Sequence, residues 1–195
     1  HISISFFWIK YGYDIDKKSQ NTTPMKINLN NKTQKNTTQK FSFYTEEMWE
    51  KEKSRFNKNV QHIFSAKKNE TFVFAEENSV TFFIGLGKEP ENFDLQNIAS
   101  KFAYDFRKKI QPENTLISTE DFNELQIENL VKGLFLGTYE YPFKTEHPFF
   151  NPKFGLTLDK VSDENLKDFQ LKTQAICEGQ FACMEWLNKP QNCKR

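Results

Sequence analysis

The sequence predicts an α/β fold, a mixed sheet flanked by helices. Two observations carry this. Short runs rich in Phe, Val and Ile alternate with stretches whose apolar residues recur at helical spacing. One of those runs, Val80–Leu86, is apolar on both faces, as a central strand covered from both sides would be. The chain of 195 residues suits one domain with extra tail, or at most two small ones, and is long enough to bury a real core. It carries no internal repeat.

Residues 1–40 are predicted to be a disordered tail or an untranslated upstream segment. The apolar stretch Ile2–Ile9 is short, with no basic run before it and no small-residue cleavage site after it, so it makes a poor signal peptide. Met25 offers an alternative start, which would make residues 1–24 upstream sequence. Residues 16–40 are mostly Asn, Lys, Thr and Gln and cannot bury enough surface to offset ordering. Within them Ile27 and Leu29 alternate with polar residues and suit one short strand. Asn21, Asn31, Asn36 and Asn69 each match the Asn-x-Ser/Thr acceptor pattern. In an Asn- and Thr-rich chain such matches arise by chance, and no signal for secretion accompanies them.

The predicted globular region is 41–188. Phe41–Tyr44 reads as a strand. Thr45 caps a helix that runs to about Asn59, with Glu46 and Glu47 in its first turn. Thr71–Ala75 and Val80–Leu86 read as strands joined by a tight hairpin at Glu76–Ser79. A helix follows at about Asp94–Ile110, where Leu95, Ile98, Ala99, Phe102, Ala103, Phe106 and Ile110 form an amphipathic stripe. Thr115–Ser118 is a strand, Asp121–Tyr139 a helix, and Gly155–Leu158 a strand. Pro142 and Pro148 break the chain between the last two. A long helix from about Ser162 to Asn188 turns Leu166, Phe169, Thr173, Ile176, Cys177, Gln180, Phe181, Met184 and Leu187 inward, and Pro190 ends it. Residues 189–195 read as the start of a linker.

Composition narrows the function classes. The 27 basic and 26 acidic residues nearly cancel, which argues against a dedicated nucleic-acid binder. No apolar run reaches the ~18 residues that span a membrane. The three cysteines, Cys177, Cys183 and Cys193, form no CxxC pair, and their odd number points to a reducing, cytoplasmic setting. The 21 Phe, together with abundant Lys and Asn, read first as the bias of an AT-rich coding sequence.

Residue chemistry alone yields no active site. Gly85-Leu-Gly87 after a strand resembles the start of a phosphate-cradling loop, with the next helix offering its N-terminus. The third glycine of the dinucleotide fingerprint is missing, and Glu89 and Glu91 would repel a phosphate. A plain glycine turn is the favoured reading. His1, His62 and His147 have no ligand spacing, and neither His-Glu-x-x-His nor Gly-x-Ser-x-Gly occurs. Cys177 and Cys183, six apart on one helix, fall on different faces and do not make a metal or redox pair. Tyr139–Phe143 and Phe149–Phe150 suit either an exposed partner patch or packing under a loop. No catalytic, cofactor-binding or metal-ligating residue is assigned.

Three segments in order carry a resemblance. Val80-Thr-Phe-Phe-Ile-Gly-Leu-Gly-Lys88 resembles the strand ending in Gly-Leu-Gly-Lys of M17 leucyl aminopeptidase (cytosol aminopeptidase) N-terminal domains. Val131-Lys-Gly-Leu-Phe-Leu-Gly-Thr-Tyr-Glu-Tyr-Pro-Phe-Lys144 resembles that family's Glu-Gly-x-x-Leu-Gly-x-Tyr-x-Phe-x-x-Tyr-Lys segment. Glu178 to Asn192 resembles its junction helix, with an Arg-Asp-Leu-Val-Asn-x-Pro-x-Asn pattern. The resemblance covers roughly residues 70–192. Met184 and Glu185 stand where the family usually has Arg and Asp, and Lys132 where it has Glu, which marks a divergent member.

The resemblance implies a macro-domain-like α/β fold and a non-catalytic role in hexamer assembly. The full-length enzyme would remove N-terminal residues from peptides with two divalent metals, zinc or manganese. Its metal-ligand motifs, including Asn-Thr-Asp-Ala-Glu-Gly-Arg, do not occur here. They are expected beyond Arg195, so this chain alone is expected to be inactive. Two other readings compete: a stand-alone macro-like module that binds ADP-ribose through the loop after Leu86, and a nucleic-acid binder, which the balanced charge disfavours.

Overall fold

A computed structural model describes residues 28–30, 38–107, 109–110, 115–139, 155–158 and 163–188. The strands are β1 (Asn28–Asn30), β2 (Gln39–Thr45), β3 (Thr71–Ala75), β4 (Val80–Gly87), β5 (Thr115–Ser118) and β6 (Gly155–Leu158). The helices are α1 (Glu46–Glu52), α2 (Lys58–Ile63), α3 (Asn92–Phe106), α4 (Glu124–Gly137) and α5 (Asp163–Asn188), with a 3-10 turn at Lys53–Arg55. They form one mixed sheet in the order β1-β6-β5-β2-β4-β3, parallel throughout except for the antiparallel β3–β4 edge. The predicted fold class is the one observed.

Period-two alternation sorts each strand's side chains between two cores. Phe41, Phe43, Phe82, Ile84, Leu86 and Ile117 face α3, α4 and α5 in the larger core. Tyr44 and Phe83 face the other way, onto Trp49 of α1, Val60 of α2, and Phe64. The doubly apolar run of β4 is thus a central strand feeding both cores. Phe supplies specific contacts here. Phe41, Phe82 and Phe102 meet edge to face at 5.0–5.5 Å, and Phe56, Phe64 and Phe83 surround Trp49 at 4.9–6.0 Å. Such ring pairs add about 0.5–1.5 kcal/mol each beyond area burial.

The closest helix contact is α3 on α4. A Cβ built on Gly133 would lie 2.3 Å from the Gln96 carbonyl oxygen and 2.8 Å from Ala99 Cβ. On Gly137 it would lie 2.2 Å from the Ser100 oxygen and 2.7 Å from Ala103 Cβ. Two glycines one turn apart on α4 therefore meet two alanines at the same spacing on α3, and the backbones touch.

Several expectations are corrected. Residues 28–30 and 38–40 lie within the predicted disordered segment, yet they belong to described structure. The short strand expected around Leu29 is β1: it pairs with β6, Leu29 is buried, and its amide donates to Gln170 Oε1 at 3.1 Å. An apolar residue in a short polar stretch was enough for the sheet edge to take it. The helix expected over 45–59 is broken in two. Phe56 turns extended to stack on Trp49, and Asn57 starts α2 afresh by accepting from the Val60 amide at 2.9 Å. The helix expected from Asp121 begins at Glu124, because Asn123 and Gln126 form a reciprocal capping box. α3 runs Asn92–Phe106 instead of 94–110, although Ile110 is still buried. On α5, Gln180 and Leu187 are exposed rather than inward. Its 26 residues span about 39 Å against about 21 Å for the 14 of α4, so its C-terminal end outruns the helix that would cover it. The expectations for Ile27, Asn31, Asn36, Pro142, Pro148 and Ser162 fall outside the described residues.

Candidate functional site

The chain order marks one place for a ligand. From β2 the chain moves outward to β3 and β4 on one side, then crosses by α3 to β5 on the other. In parallel sheets, ligands sit beyond the strand carboxyl ends at such a reversal. Here those ends are Thr45, Gly87 and Ser118.

On its β4 side that place is occupied. Residues 64–70 lie across the exit of β4 and occupy its main-chain groups. Gly85 N donates to Glu70 O at 2.8 Å and Gly87 N to Ala66 O at 2.9 Å, while Asn69 N donates to Gly85 O at 3.0 Å. Ala66 and Asn69 take positive φ to make the path, as does Gly87. A Cβ on Gly85 would sit 2.1 Å from the Lys67 carbonyl oxygen. The Glu70 carboxylate fastens the loop, accepting from Ser65 N, Ser65 Oγ and Lys67 N at 3.0 Å each. Lys68 Nζ reaches Asp94 at 2.7 Å across the start of α3, and its hydrogen bond holds that carboxyl below the usual range.

Two of the helix N-termini nearby are capped. Thr45 Oγ1 caps α1 by accepting from Met48 N at 3.1 Å. α4 carries its own capping box, and α3 opens beside Glu89, Glu91 and Asp94. The amides of Gly85 and Gly87 that would cradle a phosphate already have partners. The glycine turn is structural.

The remaining sequence candidates scatter. His62 is exposed on α2, and His1 and His147 fall outside the described residues. Cys177 is buried and Cys183 exposed, on different faces of α5 as their spacing requires. Burial pushes the Cys177 thiol up to about 12. Tyr139 is half-buried and stacks on Phe181 at 5.2 Å, so this end of the aromatic segment is packed; residues 140–143, 149–150 and Cys193 fall outside the described residues. No group of three His, Cys, Asp or Glu able to hold a metal is present among the described residues, and none of their helices is long and apolar enough to cross a membrane.

Two features escaped the sequence reading. The first is an ion triad tying α4 to α5. Buried Glu128 meets Lys132 at 3.2 Å and Lys172 at 2.8 Å. Burial raises the pKa of this carboxyl, but the two lysine hydrogen bonds outweigh burial and the net direction is down. Lys132 is one of the departures from the M17 pattern, and the four-residue spacing from Glu128 was the available signal. The second is a groove of about 690 Å³ between α3 and α5, lined by Phe93, Leu136, Ile176, Gly179, Met184 and Leu187. Gly179 is its sign in the sequence: a mid-helix glycine whose Cβ would meet nothing within 4 Å has no packing reason inside this chain.

No protein-family model and no curated protein matches this chain. Solved structures do. A tomato leucine aminopeptidase mutant matches with TM-score 0.67 at 14 % identity, over 87 % of this chain and 39 % of that one. The bottromycin maturation enzyme BotP in complex with Mn matches with TM-score 0.55 at 12 % identity, over 80 % of this chain and 32 % of its own. The cytosol aminopeptidase of Coxiella burnetii matches with TM-score 0.54 at 12 % identity, over 84 % and 33 %. The chain therefore has the fold of a part of these enzymes and spans 32–39 % of their length.

Proposed function

We propose that this chain is the N-terminal, non-catalytic assembly domain of a leucyl aminopeptidase of the M17 type. The observation that carries the reading is the likeness to the tomato enzyme over 87 % of this chain. A second line of support comes from where the three resembling segments fall. Val80–Lys88 is β4 with its exit, Val131–Lys144 starts on α4, and Glu178–Asn192 starts on the end of α5. Gly85 lets residues 66–67 cross β4, and Gly133 and Gly137 let α3 touch α4. These motif glycines have architectural work and no chemical work.

In this reading the full-length protein is a cytoplasmic homohexamer that removes N-terminal residues from peptides. Two divalent ions, zinc or manganese, would activate the water and polarise the scissile carbonyl in a domain outside these residues. The test extends the reading frame. The longer protein is expected to encode the Asn-Thr-Asp-Ala-Glu-Gly-Arg motif and to cleave a leucine amide in a chelator-sensitive way. The 195-residue chain is expected to cleave none with either metal. Metal-dependent cleavage by the short chain would refute the non-catalytic role. A continued frame without metal-ligand motifs would refute the family.

A further inference from the structure

We draw no further inference here: the strongest candidate, the apolar groove between α3 and α5 lined by Phe93, Leu136, Ile176, Gly179, Met184 and Leu187, carries nothing, because nothing in the structure shows what covers it.

Discussion

Adding one methyl group to a helix glycine is expected to have opposite signs at two places in this chain. In a helix interior, Gly→Ala removes backbone entropy from the unfolded state and is favourable by about 0.5–1 kcal/mol. At Gly133 that gain meets a Cβ placed 2.3 Å from the Gln96 oxygen and 2.8 Å from Ala99 Cβ. Neither neighbour is the end of a flexible side chain, so the two helices must separate by about 1 Å to restore ordinary contact. Overpacking of this kind costs about 1–3 kcal/mol, and here it also opens the buried seam formed by Leu95, Ala99, Leu130 and Leu134. Gly133→Ala is expected to destabilise by about 1–2 kcal/mol net, a fall in Tm of about 2–8 °C at this size. Gly137→Ala should match it. The double variant should cost less than the sum, because one separation of the helices accommodates both methyls. Gly179→Ala meets nothing within 4 Å and is expected to stabilise by about 0.5–1 kcal/mol. Urea titrations of the four variants followed by circular dichroism measure all of this. If Gly133→Ala is neutral or stabilising like Gly179→Ala, the account of backbone contact between α3 and α4 is wrong.

Three further outcomes follow from side-chain environments. Glu128→Gln should destabilise by about 1–2 kcal/mol at pH 7, because it leaves Lys132 in a largely buried site without its countercharge. The folded-state pKa of Glu128 is depressed, so its stabilisation is present above the unfolded value near 4.5 and fades as pH falls through the folded value. The gap between wild type and variant in urea should therefore close below about pH 4.5, and a gap that persists at pH 2 would contradict the triad. Burial lifts Tyr44 to about 12, with the Glu52 carboxylate adding to it, and burial lifts Cys177 to about 12. Both groups are neutral when folded and ionise more readily when unfolded, so stability should fall from about pH 9 upward, and Cys183 should react with a thiol reagent at pH 8 while Cys177 does not. A native Cys177 labelled as fast as Cys183 would refute its burial. Calorimetry with ADP-ribose at about 1 mM should show no heat, since the amides of Gly85 and Gly87 are already bonded; measurable binding at the β4 exit would mean that the 64–70 segment opens.

Much of the fold was legible because period and composition agree locally. Thr71–Ala75, Thr115–Ser118 and Gly155–Leu158 are strands with the expected bounds, each a short β-prone run between turn residues. What was not legible depends on distant partners. Nothing near Phe56 in sequence says that Trp49 and Phe83 will draw it out of a helix. Nothing around Leu29 announces that a strand some 125 residues later will pair with it. The helix ends were misjudged where a second capping residue lay close by: Asn123, not the acids before it, closes the box with Gln126. The glycines show the same divide. Their presence in β4 and α4 was plain, but Gly85 and Gly133 could be read as turn, nucleotide loop or motif until their neighbours were known.

Those neighbours also bear on the exit of β4. A parallel sheet with a topological reversal ordinarily opens at its strand carboxyl ends, and that opening is where such folds acquire ligands. Here the β4 side of that opening is occupied by the chain itself. Residues 64–70 consume the amides, Glu70 fixes the loop from within, and Lys68 ties it to α3. The Gly85 and Gly87 amides are thereby taken up within the chain. Among the described residues, the groove beside Gly179 and the far end of α5, with Trp186 and Leu187 exposed, lie at the periphery.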